Sequence, residues 1–188
     1  MIEIESYSEV STPTLSVAAN YSEDWYTDAC AEVSNSANSN NKRREIVFVA
    51  CFLESYIYEW VRNYGANYII KYFSTTAKNA DGKCYTRKLK NKWKYIPPEM
   101  AKELGVAKDV KLDLSGLGTL IVLRNGFVHA ATSKLYNAFT VKEAQPVPSQ
   151  EQLGLIKSGW AASVAENLII SLHEQIDSNA PGYLRRRP

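Results

Sequence analysis

The sequence predicts an all-α protein, an antiparallel bundle of four to five helices with an irregular basic insert. Apolar residues recur at three- and four-residue steps through several long segments, as on one face of a helix. The period-two alternation of a half-buried strand is sustained nowhere. The chain has 188 residues, of which 45% are hydrophobic, enough to bury one core. No apolar run is long enough to span a membrane and the first residues are acidic, so we expect a cytoplasmic protein without membrane contact.

The chain is predicted to divide into three parts. Residues 1–40 form an N-terminal arm and a short helix, residues 41–180 a helical domain, and residues 181–188 a basic tail. The short helix begins near Ser22, because Ser is a good N-cap and two acids follow it, and it ends near Ser34. The polar, asparagine-rich residues 35–41 then form a linker.

Residues 42–63 carry the strongest helical pattern, and a second helical stretch is expected over residues 67–76 after Gly65. The aromatic residues of this region fit the helical spacing, so we interpret them as core and not as a ligand site. Glu54 lies at the edge of the apolar stripe. It is either a solvated margin residue or a polar residue that faces a site.

Residues 79–118 are the least regular part and form the basic insert. Pro97 and Pro98 predict a short helix that starts at about Glu99 and ends at Gly105. Aromatic residues lie among the lysines before it, a mixture that suits single-stranded RNA. The candidate RNA-binding residues are Lys88, Lys90, Lys92 and Lys94. The alternative is a solvated helix face with Trp93 in the core.

Two helices are expected after the insert. The first covers about residues 119–135, and the second starts at Ser149, which forms a capping box with Gln152, and continues to Ile176. His173 lies beside the apolar stripe of the last helix and is interpreted as a packing or helix-end residue. Asp109 and Asp113 lack a further acid at a useful spacing, so we expect a hydrated loop there. The three separated cysteines indicate reduced thiols and not a disulfide framework or a zinc site.

The sequence Arg124-Asn125-x-x-x-His129, after an apolar run, resembles the signature of the HEPN superfamily. Two further stretches are similar to HEPN proteins: the Leu53-Glu54 pair within its apolar helix, and the connector that runs from Lys92-Trp93 to Ile96-Pro97. The resemblance covers about residues 41–176. It implies an all-α fold and a metal-independent endoribonuclease without a cofactor, in a toxin–antitoxin or phage-defence role. An antitoxin or defence protein would then be a partner.

The resemblance also implies roles for four catalytic residues. His129 would act as base or acid, Arg124 would bind the phosphate, Asn125 would hold the histidine ring, and Glu54 would face the site. Two alternatives stay open. In the first, the chain is a catalytically inert HEPN-like dimeric module that binds RNA, a nucleotide or a protein partner. In the second, Arg124 makes a structural ion pair, for instance with Glu54.

Helix geometry sets a condition on this site. Five residues of a regular helix turn through about 500°, so Arg124 and His129 point about 140° apart. Either Gly126 permits a local distortion, or residues of two copies meet at a two-fold axis. HEPN enzymes resemble the second case, so we expect a homodimer with a composite site.

Overall fold

The computed structural model describes residues 21–34, 39–74, 76–78, 82, 88–136, 153 and 156–185; the side chains of residues 39, 128–136 and 185 lie outside that description. The all-α prediction is confirmed for this part of the chain. None of its helices has the length and apolar character needed to cross a membrane. The elements are α1 (Tyr21–Ser34), α2 (Ser39–Arg62), α3 (Ala66–Phe73), α4 (Leu89–Glu103), α5 (Ser115–Tyr136), α6 (Trp160–Gln175) and a 3-10 helix (Gly182–Arg185).

Helix α2 is the centre of the fold and contacts each of the other five α-helices. Its apolar stripe is buried, as three- and four-residue spacing predicts. The stripe consists of Ile46, Val49, Leu53, Ile57, Trp60 and Val61. Helix α1, which the sequence assigns to the N-terminal segment, packs along α2 and adds Tyr26, Ala29 and Cys30 to the same core.

The prediction for the helix around Pro97 and Pro98 is wrong. Helix α4 begins ten residues earlier than Glu99, at Leu89, and contains both prolines. Each internal proline costs a helix about 3 kcal/mol. Full burial of Trp93 and Met100 contributes about 2–3 kcal/mol each, which offsets that cost and keeps the helix continuous. The irregular insert is therefore shorter than predicted.

The start of the last helix is also different from the prediction. Ser149 and Gln152 lie outside the described residues, but α6 begins only at Trp160, after a turn in which Gly159 has a φ of 79°. The first turn of α6 is capped from another helix: the Glu45 carboxylate of α2 accepts hydrogen bonds from the backbone N–H groups of residues 159, 161 and 162 at 3.0–3.2 Å. A sequence window cannot show a cap supplied from more than 110 residues away.

Residues 105–114 form the loop that the sequence predicts between α4 and α5. Asp109 is exposed, and Asp113 accepts a hydrogen bond from the Ser115 backbone N–H at 2.9 Å. This hydrogen bond lowers the pKa of Asp113. Asp113 therefore accepts a hydrogen bond at the N-terminus of α5, and this structural role explains the presence of an acid at this position.

Candidate functional site

Helices α2, α4 and α5 enclose a pocket of about 460 Å³. Five of the eight residues predicted for the site line it, although they come from three separate segments. These residues are Glu54, Lys88, Lys90, Arg124 and Asn125. Apolar residues of α5, Ile121 and Val122, complete one wall. The structure therefore brings together the acid, the amide, the arginine and two of the lysines.

Arg124 is half-buried in the pocket wall and donates a hydrogen bond from Nη1 to Oδ1 of Asn125 at 3.2 Å. Among the described side chains, no carboxylate lies within 4 Å of its guanidinium. The structural ion pair with Glu54 that the sequence leaves open is thus not formed. A guanidinium without an acidic partner keeps its donors available for an anion.

Glu54 pairs with Lys92 instead, with 2.5 Å between Oε1 and Nζ. The Glu54 side chain is 52% exposed, so the structure realises both sequence interpretations: the residue lies at the solvated margin and also borders the pocket. Lys92 is buried, and its Nζ lies 5.7 Å from the centre of the Phe73 ring. The positive charge of Lys92 is therefore neutralised within the protein and is not available to a ligand.

The predicted lysine set divides along α4. Lys88 and Lys90 are exposed and line the pocket, whereas Lys94 lies one turn further on, with its Nζ 5.1 Å from the Tyr95 ring, and does not line it. Trp93 is fully buried and donates from Nε1 to the Leu53 carbonyl at 3.2 Å, as the core interpretation predicts. This hydrogen bond fixes α4 against α2 beside Glu54.

His129 lies in α5, but its side chain is outside the described residues. Helix α5 is unbroken through Gly126, which is buried and does not have a positive φ. The distortion at Gly126 that would bring the two motif residues together is therefore not observed. On an unbroken helix, position 129 lies about 140° around the axis from position 124, but it lies one turn after Asn125, on the same helix face as Gly118, Val122 and Asn125.

Cys51 lies near the pocket, and its charge state is set by competing influences. Burial raises the pKa of the Cys51 thiol and the nearby Glu54 charge raises it further, whereas the Arg124 charge acts in the opposite direction. The net direction is upward. The thiol therefore stays protonated near neutral pH, which does not favour a nucleophilic role.

Sequence reasoning missed a polar cluster between α2, α6 and the C-terminal segment. His173 is buried, which agrees with the packing interpretation, and its ring also makes two hydrogen bonds, one between Nε2 and the Tyr56 hydroxyl at 2.5 Å and one between Nδ1 and the Ser178 hydroxyl at 2.6 Å. Nearby, Glu59 accepts hydrogen bonds from the backbone N–H and the hydroxyl of Ser22, at 3.1 and 2.5 Å. The sequence shows only that polar residues lie within or beside the apolar stripes, and this pattern does not identify their hydrogen-bond partners.

Comparison of the chain with protein-family models, with curated proteins and with solved structures found no match. The resemblance to the HEPN superfamily depends on the motif and on the two stretches around Glu54 and Trp93. The resemblance stays a prediction.

Proposed function

We propose that the chain is a metal-independent endoribonuclease and that the pocket between α2, α4 and α5 holds a phosphate of its RNA substrate. The observation that carries the proposal is the guanidinium of Arg124, which has no acidic partner among the described residues and shares a pocket with Lys88 and Lys90. Three cationic residues line the pocket against the single carboxylate of Glu54, and Lys92 pairs with that carboxylate, so the net charge around the pocket is positive.

The N-terminus of α4 adds to this positive field. Leu89 and Lys90 form its first turn and line the pocket. First-turn backbone N–H groups have no partner within their own helix, and the helix dipole places partial positive charge at that end. An anion in the pocket would therefore meet side-chain and backbone donors together.

The proposed reaction uses the 2′-hydroxyl of the RNA itself. As the O2′–P bond forms and the P–O5′ bond breaks, the products are a 2′,3′-cyclic phosphate and a 5′-hydroxyl. Negative charge builds on the phosphate oxygens on the way, where the planar Arg124 fork stabilises it. His129 would take the 2′ proton or protonate the leaving oxygen. Asn125, whose Oδ1 accepts from Arg124, orients the guanidinium.

The unbroken α5 separates the two motif side chains. Because positions 124 and 129 point about 140° apart, we propose that the histidine that works with Arg124 comes from a second copy, in a homodimer with a composite site. A toxin–antitoxin or phage-defence role, with an antitoxin or defence partner, is part of the same proposal and comes from the HEPN resemblance.

The test is cleavage of RNA by the purified protein in the presence of EDTA. We expect cyclic phosphate ends, a loss of about 10²- to 10³-fold in rate for Arg124→Ala, and a smaller loss for Lys90→Ala. Lys94→Ala is the matched control, since Lys94 lies on the same helix outside the pocket. Equal cleavage by Arg124→Ala and Lys94→Ala would contradict the proposed phosphate site.

A second candidate is a dimeric module that binds RNA without cutting it. The 140° separation of the two motif positions favours it, because Arg124 and His129 leave a regular helix in different directions. It predicts a salt-sensitive complex without turnover, in which Lys88→Ala and Lys90→Ala each reduce the slope of log affinity against log salt by about one. The same cleavage assay separates the two candidates.

A further inference from the structure

A second groove lies next to the basic pocket and shares Glu54 with it. Its volume is about 410 Å³, within the range of about 300–1,000 Å³ typical of small-ligand sites. Side chains from four helices, α1 to α4, meet there. Besides Ser55, its lining consists of four aromatic residues, Tyr21, Trp25, Tyr58 and Phe73, and three charged residues, Glu54, Glu59 and Lys92.

The groove is rich in aromatic surface. Tyr21 is 58% exposed and makes no ring contact with another described residue. Tyr58 and Phe73 meet edge to face, with 5.1 Å between ring centres, so neither covers the other with a parallel ring. Solvent-accessible aromatic rings are surfaces on which bases of single-stranded nucleic acid stack.

The charged part of the groove consists of the Glu54–Lys92 pair and Glu59, whose two oxygens accept the hydrogen bonds from Ser22. Lys92 contacts Oε1 of Glu54, and the second oxygen, Oε2, has no hydrogen-bond partner among the described residues. A carboxylate accepts hydrogen bonds from the exocyclic amino group of a base, such as N4 of cytosine. Uracil carries a carbonyl oxygen at that position, which a carboxylate repels.

We infer that this groove is a nucleobase subsite for single-stranded RNA, which stacks a base on its aromatic residues and uses Glu54 to select a base with an exocyclic amino group over uracil. The inference rests on the proposed function for its substrate class. Continuity through Glu54 supports it: a strand whose phosphate occupies the basic pocket has its neighbouring base within reach of the groove. Selection by one hydrogen-bonding group is worth about tenfold in affinity.

The experiment uses the free nucleosides cytidine and uridine, so that the phosphate pocket is not involved. Binding to the full chain is followed by NMR, with the indole N–H signal of Trp25 and the backbone signals of Tyr21 and Tyr58 as reporters. We expect cytidine to shift these signals with an affinity about five- to tenfold above that of uridine. Glu54→Gln should bring the two affinities within about twofold, because an amide both donates and accepts.

The stacking contribution has a matched pair of variants. Tyr21→Ala should weaken cytidine binding by about tenfold, whereas Tyr64→Ala should not, because Tyr64 is also an exposed tyrosine but lies outside the groove. Both residues have exposed side chains, so the folds of the variants can be compared directly by circular dichroism.

Two results would overturn the inference: no shift of the groove signals by about 10 mM cytidine, or equal affinities for cytidine and uridine in the unmodified protein. Failure of the proposed function is distinguishable from both. If the protein binds cytidine in the groove but neither binds nor cuts RNA, the subsite is supported and the ribonuclease proposal is contradicted. If it cuts RNA through Arg124 without binding cytidine, the ribonuclease proposal is supported and the subsite is contradicted.

Discussion

At the scale of single residues, His173 shows how a titratable group is held in the core. Its ring is 8% exposed, and each nitrogen has a hydroxyl partner, Tyr56 on one side and Ser178 on the other. A neutral imidazole offers one donor and one acceptor, which matches two hydroxyl groups. Burial raises the pKa of Tyr56 and lowers the pKa of His173, so both groups are neutral near pH 7.

This burial predicts a loss of stability in mild acid. The unfolded chain takes up a proton on His173 at a pH of about 6.5, whereas the folded chain does so only at lower pH. Between these two pKa values the unfolded state binds more protons, so the free energy of unfolding decreases as the pH falls. Urea denaturation at about pH 7.5 and 5.5 should show a larger decrease for the unmodified protein than for His173→Gln.

Other titratable groups, including Glu23 and Glu59, which line a small cavity together with His173, are present in both proteins, so their contributions cancel in this comparison. An equal decrease in both proteins would mean that His173 is not kept neutral by its surroundings. The result would then leave His173 as a packing residue without a role in the acid response.

At the scale of elements, α2 stabilises its neighbours at their ends as well as along their sides. Glu45 near its start accepts hydrogen bonds from the first turn of α6, and Glu59 near its end accepts them from the first turn of α1. Carboxylates at helix N-termini satisfy backbone N–H groups that otherwise lack partners, and they interact favourably with the helix dipole. One central helix thus fixes where two others begin.

Glu45→Ala is expected to lower the free energy of unfolding by about 3 kcal/mol, because it leaves several buried backbone N–H groups without an acceptor. Glu32→Ala is the matched control: the Glu32 side chain is 16% exposed, but its partner Arg44, at 3.5 Å, is 64% exposed, and ion pairs open to solvent contribute at most about 1 kcal/mol. Chemical denaturation measures both values. Equal small losses would show that the Glu45 hydrogen bonds contribute little to the position of α6.

The elements with a local signal were predictable from the sequence. The expected helix over residues 42–63 corresponds to α2, and the helix from Ser22 to Ser34 corresponds to α1, because the apolar spacing lies within each segment. Ser22 is not the N-cap that the sequence suggests, since α1 begins at Tyr21 and the Ser22 hydroxyl donates to Glu59. The starts of α4 and α6 were not predictable. The start of α4 depends on the burial of Trp93 and Met100, which offsets the free-energy cost of two internal prolines. The start of α6 depends on a cap from Glu45 in another helix.

At the scale of the whole molecule, the pocket brings together residues that the sequence separates by up to about 70 positions. The sequence indicated the chemical types, and the structure shows that Glu54, Lys88, Lys90, Arg124 and Asn125 all line the same pocket. The sequence could not indicate which of the lysines face that pocket. Because α4 continues through its prolines, Lys92 lies about 200° around the helix from Lys90 and pairs with Glu54 instead.

The composite site makes a prediction about mixed dimers. If Arg124 of one copy works with His129 of the other, a heterodimer of an Arg124→Ala chain and a His129→Ala chain has one intact site and one doubly damaged site. Purified through two different affinity tags, it should recover about half of the unmodified ribonuclease activity, although each variant alone is inactive. If both residues act within one chain, the same heterodimer has no intact site and stays inactive.

The reciprocal heterodimer is the control for this experiment. When an unmodified chain is paired with a chain that carries both substitutions, a composite arrangement leaves neither site intact and activity is lost. A site within one chain would instead leave the unmodified subunit active, at about half of the full rate. The two heterodimers contain the same number of substitutions and the same residues, so a difference between them reports only whether Arg124 and His129 meet across two copies or within one.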